Sequence, residues 1–323
     1  MCTCIDYRAE DKYFGRTLDL EYHYNEEVVI TPNGFTFDFK NIDSLTVNHA
    51  IIGMATVIND YPLYYEASNE SGLSIAGLYF PGNAEYFDPE PGKLNLAPFE
   101  LIPYFLSKYN SLYEMAGDLE RLNITNQSFA PEMPLSPLHF MISDGENCIV
   151  MEQTKTGLHI YDNPARVMTN NPPFNYQLEA LSEIKEITPD YKKSDKTTAD
   201  VNFECVGGGA IGLPGDYTST SRFLKATYLN AVTERRTEEE QNVSQFFHIL
   251  DQVSMTRGSV LTKSGENDMT VYSCCCNTDK GIYYYKTYDN SRINAVRLND
   301  ENKYSFCLTR HKIADKADIL YHN

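Results

Sequence analysis

At 323 residues, of which 42 % are hydrophobic and 12 % aromatic, the chain holds enough apolar material for a large packed core and is no disordered polymer. Its 27 basic against 45 acidic residues leave a formal charge of -18, which repels phosphate backbones and anionic bilayer surfaces and argues against nucleic acid or membrane as a partner. No apolar run approaches the ~18 residues that span a bilayer, and the opening MCTCIDYRAEDKYFGRTLDLEYHYNE lacks the layout of an export signal, so the expected compartment is the cytoplasm.

Taken in chain order, the first apolar runs read as strands: EEVVITP, HAIIGMATVI, GLSIAGLYF, LHFMISD, NCIVMEQ and GLHIYD. Turn signals such as Asp144-Gly145 and Thr156-Gly157 join neighbours as hairpins, which predicts a mainly antiparallel sheet. Helical periodicity then interrupts. In SLYEMAGDLERL, Ser111 and Glu114 have capping-box spacing, and Leu112, Met115, Ala116, Leu119 and Leu122 fall on one face. Further helices are predicted around FNYQLEALSEI, SRFLKATYLNAVTER and VSQFFHILDQV, before strands return in MTVYSCCC, GIYYYKTYD and RINAVRL. Strands, then helices, then strands indicate an α+β layered domain with helices covering sheet faces, and no repeat or boundary divides it. The charged stretch TPDYKKSDKTTAD, residues 188–200, reads as a solvated excursion.

The cysteines are Cys2, Cys4, Cys148, Cys205, Cys274, Cys275, Cys276 and Cys307. At this length and without an export signal they are expected to be free thiols. The run SCCCN sits in an alternating strand, so adjacent thiols point to opposite faces, whereas tetrahedral zinc needs convergent ligands. Small buried hydrophobes are the simpler reading. The chain has no zinc-protease helix motif, no phosphate loop ending in Gly-Lys-Ser/Thr and no Gly-x-Ser-x-Gly elbow. GGGAIG, residues 207–212, formally fits a dinucleotide glycine pattern, but LPGD follows it rather than a helix. His139 and His159 lie on strand-like runs and are expected to be structural.

That leaves the N-terminus. A cysteine follows the initiator methionine, and methionine is normally trimmed before a small residue, so the mature chain is expected to begin at Cys2. An α-amine has a pKa of roughly 7.7 to 8.0 and a cysteine thiol about 8.5, so the amine of Cys2 can serve as base for its own thiol with no histidine. Such a site also needs a group to orient the amine, cations to favour thiolate and donors for an oxyanion. FGRTLDLEY supplies Arg16 and Asp19 a hairpin's length downstream.

With these residues the chain resembles the choloylglycine hydrolase family, which contains bile salt hydrolases and penicillin V acylases. The resemblance rests on MCT, FGRTLDLEY, NDYPLYYEASNESGLSIAGLYFPGNA, MTNNP, GLPGDYTSTSRF and IYYYKTYDNSRINAV, in order from Cys2 to about Leu298. It implies an N-terminal nucleophile hydrolase fold, a four-layer αββα sandwich of two mainly antiparallel sheets between helical layers, as one domain over residues 2–323. It further implies a homotetramer that cleaves linear amides without metal or cofactor. Residue by residue, the resemblance makes Cys2 the nucleophile and its amine the base, with Asp19 holding that amine and Arg16 and Arg222 beside the thiol. Asn170 in MTNNP is then the oxyanion donor.

One position departs from the commoner bile salt hydrolase pattern: Tyr79 stands where those enzymes usually carry asparagine and Gram-positive penicillin V acylases often carry tyrosine. The surrounding FPGNAEY resembles the bile salt hydrolases. The expected substrate is therefore a glycine- or taurine-conjugated bile salt, an anionic amphipath, with penicillin V as the alternative. A backbone N–H of Tyr79 would supply the second oxyanion donor, and its ring would reshape the acyl pocket. An inactive small-molecule-binding protein of the same fold, and a metal or redox protein built on the cysteine cluster, are the readings from other classes.

Overall fold

The computed structural model describes residues 1–191 and 205–323. Most of the charged excursion expected at 188–200 therefore lies outside the described residues. Two large sheets, antiparallel throughout, carry the architecture. Numbered in chain order, their strands are β1 (Cys2–Arg8), β2 (Lys12–Leu20), β3 (Glu27–Thr31), β4 (Ile51–Ile58), β5 (Tyr61–Asn69), β6 (Ser74–Tyr79) and β7 (Leu138–Ser143). Then follow β8 (Cys148–Thr154), β9 (Gly157–Asp162), β10 (Val167–Met168), β11 (Met269–Asn277), β12 (Ile282–Thr287), β13 (Asn294–Arg297) and β14 (Thr309–Lys312). The first sheet has the order β10-β1-β2-β11-β12-β13 and the second β9-β8-β7-β6-β5-β4-β3-β14.

The helices are α1 (Leu101–Lys108), α2 (Leu112–Leu119), α3 (Phe174–Ala180), α4 (Ser219–Val232), α5 (Glu239–Asp251) and α6 (Asp300–Lys303). Helices α4 and α5 pack on β1 and β11 of the first sheet, and α1 packs on β5 and β6 of the second. One core fills the space from α4 and α5 through the first sheet to the inner face of the second, and another lies between the second sheet and α1 and α2. The layers thus run helix, sheet, sheet, helix, as the sequence leads one to expect.

Because the first sheet is covered on both faces, its central strand has no solvent side. All nine residues of β11, MTVYSCCCN, are buried. Cys274 directs its thiol at Glu66 of the facing sheet, and strand alternation sends Cys275 to the helix-covered face. The eight cysteines are free thiols. The GGGAIG stretch makes only a 3-10 turn over Gly208–Ala210, entered through Gly207 at φ 74°.

Two readings need correction. Ser111 caps α2 by accepting from the Glu114 amide at 3.4 Å, but the Glu114 carboxylate accepts from the Asn110 amide at 2.9 Å, so the reciprocal box does not close. Helix α2 also ends at Leu119. Ala116 is exposed, Asp118 takes a place on the buried face because Tyr104, Tyr109, Lys108 and Arg121 all donate to it, and Leu122 belongs to a short parallel ladder with Leu94. Helix α1 escapes the periodicity altogether, since Leu101 to Ser107 are all buried and no polar stripe marks a face.

The close approach of β2 to β11 depends on Gly15. A Cβ there would stand 2.0 Å from the Cys274 carbonyl oxygen, a backbone atom held in the ladder. Gly15→Ala is therefore expected to destabilise the fold by about 3 kcal/mol, the upper end of ordinary overpacking. A urea unfolding midpoint that falls at unchanged slope is the measurement.

Candidate active site

The hairpin of β1 and β2 places Cys2 opposite Leu18 and Cys4 opposite Arg16. Met1 extends the ladder by one residue. The Asp19 amide donates to the Met1 carbonyl at 2.9 Å, the Met1 amine donates to the Asp19 carbonyl at 2.7 Å, and that amine lies 3.2 Å from the Asp268 carboxylate. The Cys2 side chain is buried, and the Cys2 nitrogen donates to Asn170 Oδ1 at 2.8 Å.

Arg222 arrives from the first turns of α4, which Thr218 caps by accepting from the Ser221 amide. Its Nη1 donates to the Cys2 carbonyl at 2.6 Å and Thr3 Oγ1 at 2.7 Å, its Nη2 to Asn170 Oδ1 at 2.8 Å, and its Nε to the Tyr217 carbonyl at 3.1 Å. Burial lowers the Arg222 pKa, and the facing Asp19, Cys2 and Asp268 oppose the change. Arg16 enters from the other side. Its Nη1 donates to the Gly77 carbonyl at 2.6 Å and the Tyr65 carbonyl at 3.3 Å, both on the second sheet. Burial alone would lower its pKa, but Cys2, Tyr272 and Glu66 together hold it above the ordinary value.

Asp19 is fully buried, accepting from Thr270 Oγ1 at 2.6 Å and Thr17 Oγ1 at 3.3 Å. Burial raises its carboxyl, while the chain's terminal amine and Arg222 pull it back. Asn170 sits just past β10, where Ser219 Oγ accepts from its backbone amide at 2.8 Å. The preceding Thr169 carbonyl lies 2.8 Å from His139 Nε2, and Glu152 is 3.0 Å from the other ring nitrogen, so His139 is structural as expected.

Two donors converging on Asn170 Oδ1 fix its amide orientation, and Nδ2 donates one hydrogen to the Tyr79 carbonyl at 2.7 Å. An amide NH2 has a second hydrogen to offer. Tyr79 pairs with Leu138 at the end of β6, and the next residue, Phe80, donates to Pro137. Strand alternation therefore turns the peptide groups of Tyr79 away from β7 and toward Asn170. Tyr79 is 47 % exposed, so in this structure it stands at the surface rather than filling a buried wall.

The structure thus brings Cys2, Asn170, Arg222 and the Tyr79 backbone into one bonded cluster, with Arg16 and Asp19 on its flanks. Sequence reasoning did not single out Glu66, Asp268, Thr17, Thr270 or Ser219. Glu66 had a visible signal, a lone charge inside the strand-like PLYYEAS, and the others are ordinary polar residues whose role exists only in space.

Arg222→Lys keeps the charge but loses the planar fork that reaches Cys2, Thr3 and Asn170 together. With hydrogen bonds to charged groups worth about 1.5 to 3 kcal/mol each, stability is expected to fall by about 2 to 3 kcal/mol. Chemical denaturation measures the loss, and faster amide exchange along β1 locates it.

The model for linear amide C-N hydrolases of the choloylglycine hydrolase family matches residues 2–312. A bile salt hydrolase/transferase of Lactiplantibacillus plantarum is 45 % identical over 94 % of this chain and 94 % of its own. One from Clostridium perfringens is 36 % identical over 94 % of each. Among solved structures, the C2A mutant of the conjugated bile acid hydrolase from Clostridium perfringens superposes with a TM-score of 0.92 at 33 % identity, covering all of both chains. A penicillin V acylase from Agrobacterium tumefaciens shares the fold at a TM-score of 0.77 and 17 % identity, covering 98 % of this chain and 94 % of its own. With its family model covering nearly the whole length and its N-terminal cysteine set between buried arginines, this chain belongs to the choloylglycine hydrolase family of linear amide C-N hydrolases.

Proposed function

We propose that this protein hydrolyses the amide bond of glycine- or taurine-conjugated bile salts with Cys2 as nucleophile, acting as one domain in a cytoplasmic homotetramer. The observation that carries the reading is the Cys2 nitrogen held 2.8 Å from Asn170 Oδ1, in the cluster that Arg222 closes. Named relatives acting on conjugated bile acids, at up to 45 % identity, support the substrate class.

With Met1 in place the Cys2 nitrogen is an amide, and amides are not bases. Removal of Met1 turns it into an amine, which Asp19 is assigned to hold. That amine takes the thiol proton, and Cys2 Sγ attacks the scissile carbonyl carbon. The oxyanion so formed accepts from the second Nδ2 hydrogen of Asn170 and from the Tyr79 N–H. Each such donor is worth about 2.7 to 4 kcal/mol of transition-state stabilisation. Collapse breaks the C–N bond, the Cys2 ammonium protonates the departing glycine or taurine nitrogen, and a thioester remains. Water, deprotonated by the same amine, hydrolyses the thioester and returns the free bile acid and thiol. No step needs a metal or cofactor.

Processed protein offered mixed bile salts and penicillin V is expected to release glycine or taurine, identified by mass spectrometry. Cys2→Ala should abolish turnover, and a variant forced to retain a residue before Cys2 should be nearly as inactive. Full activity in the blocked variant would refute the amine as base. Retained Met1, which intact mass detects, would correspond to the binding-protein alternative.

Tyr79 is the observation favouring penicillin V as the second reading. In Tyr79→Asn the backbone donor persists while the rim loses an aromatic ring, so activity should survive with altered preference. Pocket changes of a methylene or so shift discrimination by about 10 to 200-fold. The kcat/KM ratio of bile salt to penicillin V is expected to rise, and an unchanged ratio would remove Tyr79 from specificity.

A further inference from the structure

Glu66 on β5 is 2 % exposed and projects from the second sheet into the first. Four groups of the first sheet meet its carboxylate. Tyr272 Oη donates to Oε2 at 2.8 Å, Tyr283 Oη donates to Oε1 at 2.6 Å, Cys274 Sγ lies 3.5 Å from Oε1, and Arg16 Nε lies 3.7 Å from Oε2. Burial pushes the Glu66 carboxyl up, and Arg16, the Tyr283 and Tyr272 hydroxyls and the Cys274 thiol act against it to hold the anion.

Arg16 is paired with Cys4 across the hairpin, so strand alternation puts its side chain on the sheet face that also carries Cys4 and Cys2. Its backbone acceptors, Gly77, Tyr65 and Thr17, fix the guanidinium plane without neutralising it, because carbonyl oxygens carry no net charge. Glu66 supplies the opposite charge. We propose that Glu66 is a positioning residue for the nucleophile: it anchors the Arg16 guanidinium across the sheet interface and sets how much of that positive charge reaches the Cys2 thiol. The proposal rests on the reading of Cys2 as the nucleophile.

The charged and titratable groups facing the thiol come from each element around it. They are Arg16 from β2, Cys4 from β1 and Arg222 from α4, while Asp19 of β2 and Asp268 before β11 act on Arg222 and on the chain's terminal amine. Glu66 acts through Arg16, by offsetting its field. Cys4 is opposite Arg16 in the hairpin and two residues from Cys2 on the same strand face.

Glu66→Gln keeps the size and an acceptor oxygen but removes the charge. The full-length protein, with Met1 removal verified by intact mass, is alkylated with iodoacetamide across pH, and modification of Cys2 is followed by peptide mass. The midpoint is expected to fall by about one pH unit, since an uncompensated cation stabilises thiolate. On a glycine-conjugated bile salt, kcat is expected to fall about threefold with KM unchanged, because nucleophilicity falls by about half a log unit for each unit of lost thiolate basicity. Glu66→Asp, which retains the charge, should return the midpoint to near wild type.

Should Glu66→Gln not fold, Tyr272→Phe and Tyr283→Phe each remove one hydroxyl from the carboxylate and leave its charge less offset, and are expected to raise the midpoint by a few tenths of a unit. A folded Glu66→Gln protein with the wild-type midpoint overturns the proposal, as do wild-type midpoints in both phenylalanine variants if it does not fold. Alkylation is read without substrate. A wild-type chain whose Cys2 alkylates as expected but which cleaves no bile salt would therefore sink the substrate reading alone.

Discussion

The burial of two guanidinium groups is the constraint on which the rest of the structure depends. Arg16 and Arg222 are each 1 % exposed. A cation taken out of water costs several kcal/mol unless its hydrogens find acceptors and its charge an opposite. Arg222 meets that demand with the Cys2 carbonyl, Thr3, Asn170 and Tyr217, and Arg16 with Thr17, Tyr65, Gly77 and Glu66. These acceptors come from stretches far apart in the chain, so satisfying the arginines assembles the site. The first residues of β1 are pinned to α4 and to the Asn170 segment, and β2 is pinned to the facing sheet.

The sandwich supplies the low dielectric in which those charges matter. Helices α4 and α5 cover one face of the first sheet and the second sheet covers the other, so the Cys2 side chain sits among buried groups rather than in bulk water. In that setting the fixed charges around the thiol act over short distances with little screening. The molecule as a whole is strongly acidic, with a formal charge of -18. Its local field at Cys2 is set by nearby arginines and carboxylates instead, and global charge and site charge are separate quantities. The first repels polyanions over long range, while the second acts on the Cys2 side chain over a few ångströms.

Buried polar pairs also explain why the site does not collapse into a purely apolar core. Glu66 ties two tyrosines, a cysteine and Arg16 across the interface between sheets, and His139 with Glu152 braces the backbone just before Asn170. Each arrangement leaves its neighbour little freedom to move, because a shift would strand a buried polar group. Rigidity is purchased here by satisfying polar groups rather than by packing alone.

Much of this was legible in the sequence. Alternating runs marked most strands, turn dipeptides marked hairpins, and Cys2, Arg16 and Asp19, which the structure buries, stood out in the first two strands. Motif blocks carried Asn170 and Arg222. Helix α1 was not legible because burial on every side erases the amphipathic period, and the expected reach of α2 to Leu122 failed because Asp118 is held by four donors instead of facing water. The residue types, their order and the charge balance were fixed by the sequence itself, since local propensity and hydrophobic period act over a few residues. Only the tertiary structure decided that Glu66 meets Arg16, that Asn170 turns its oxygen to Cys2 and one amide hydrogen to Tyr79, and that Asp268 meets the chain's first amine. Those contacts join residues up to 267 positions apart, and no local pattern encodes a partner that folding alone brings within hydrogen-bond distance.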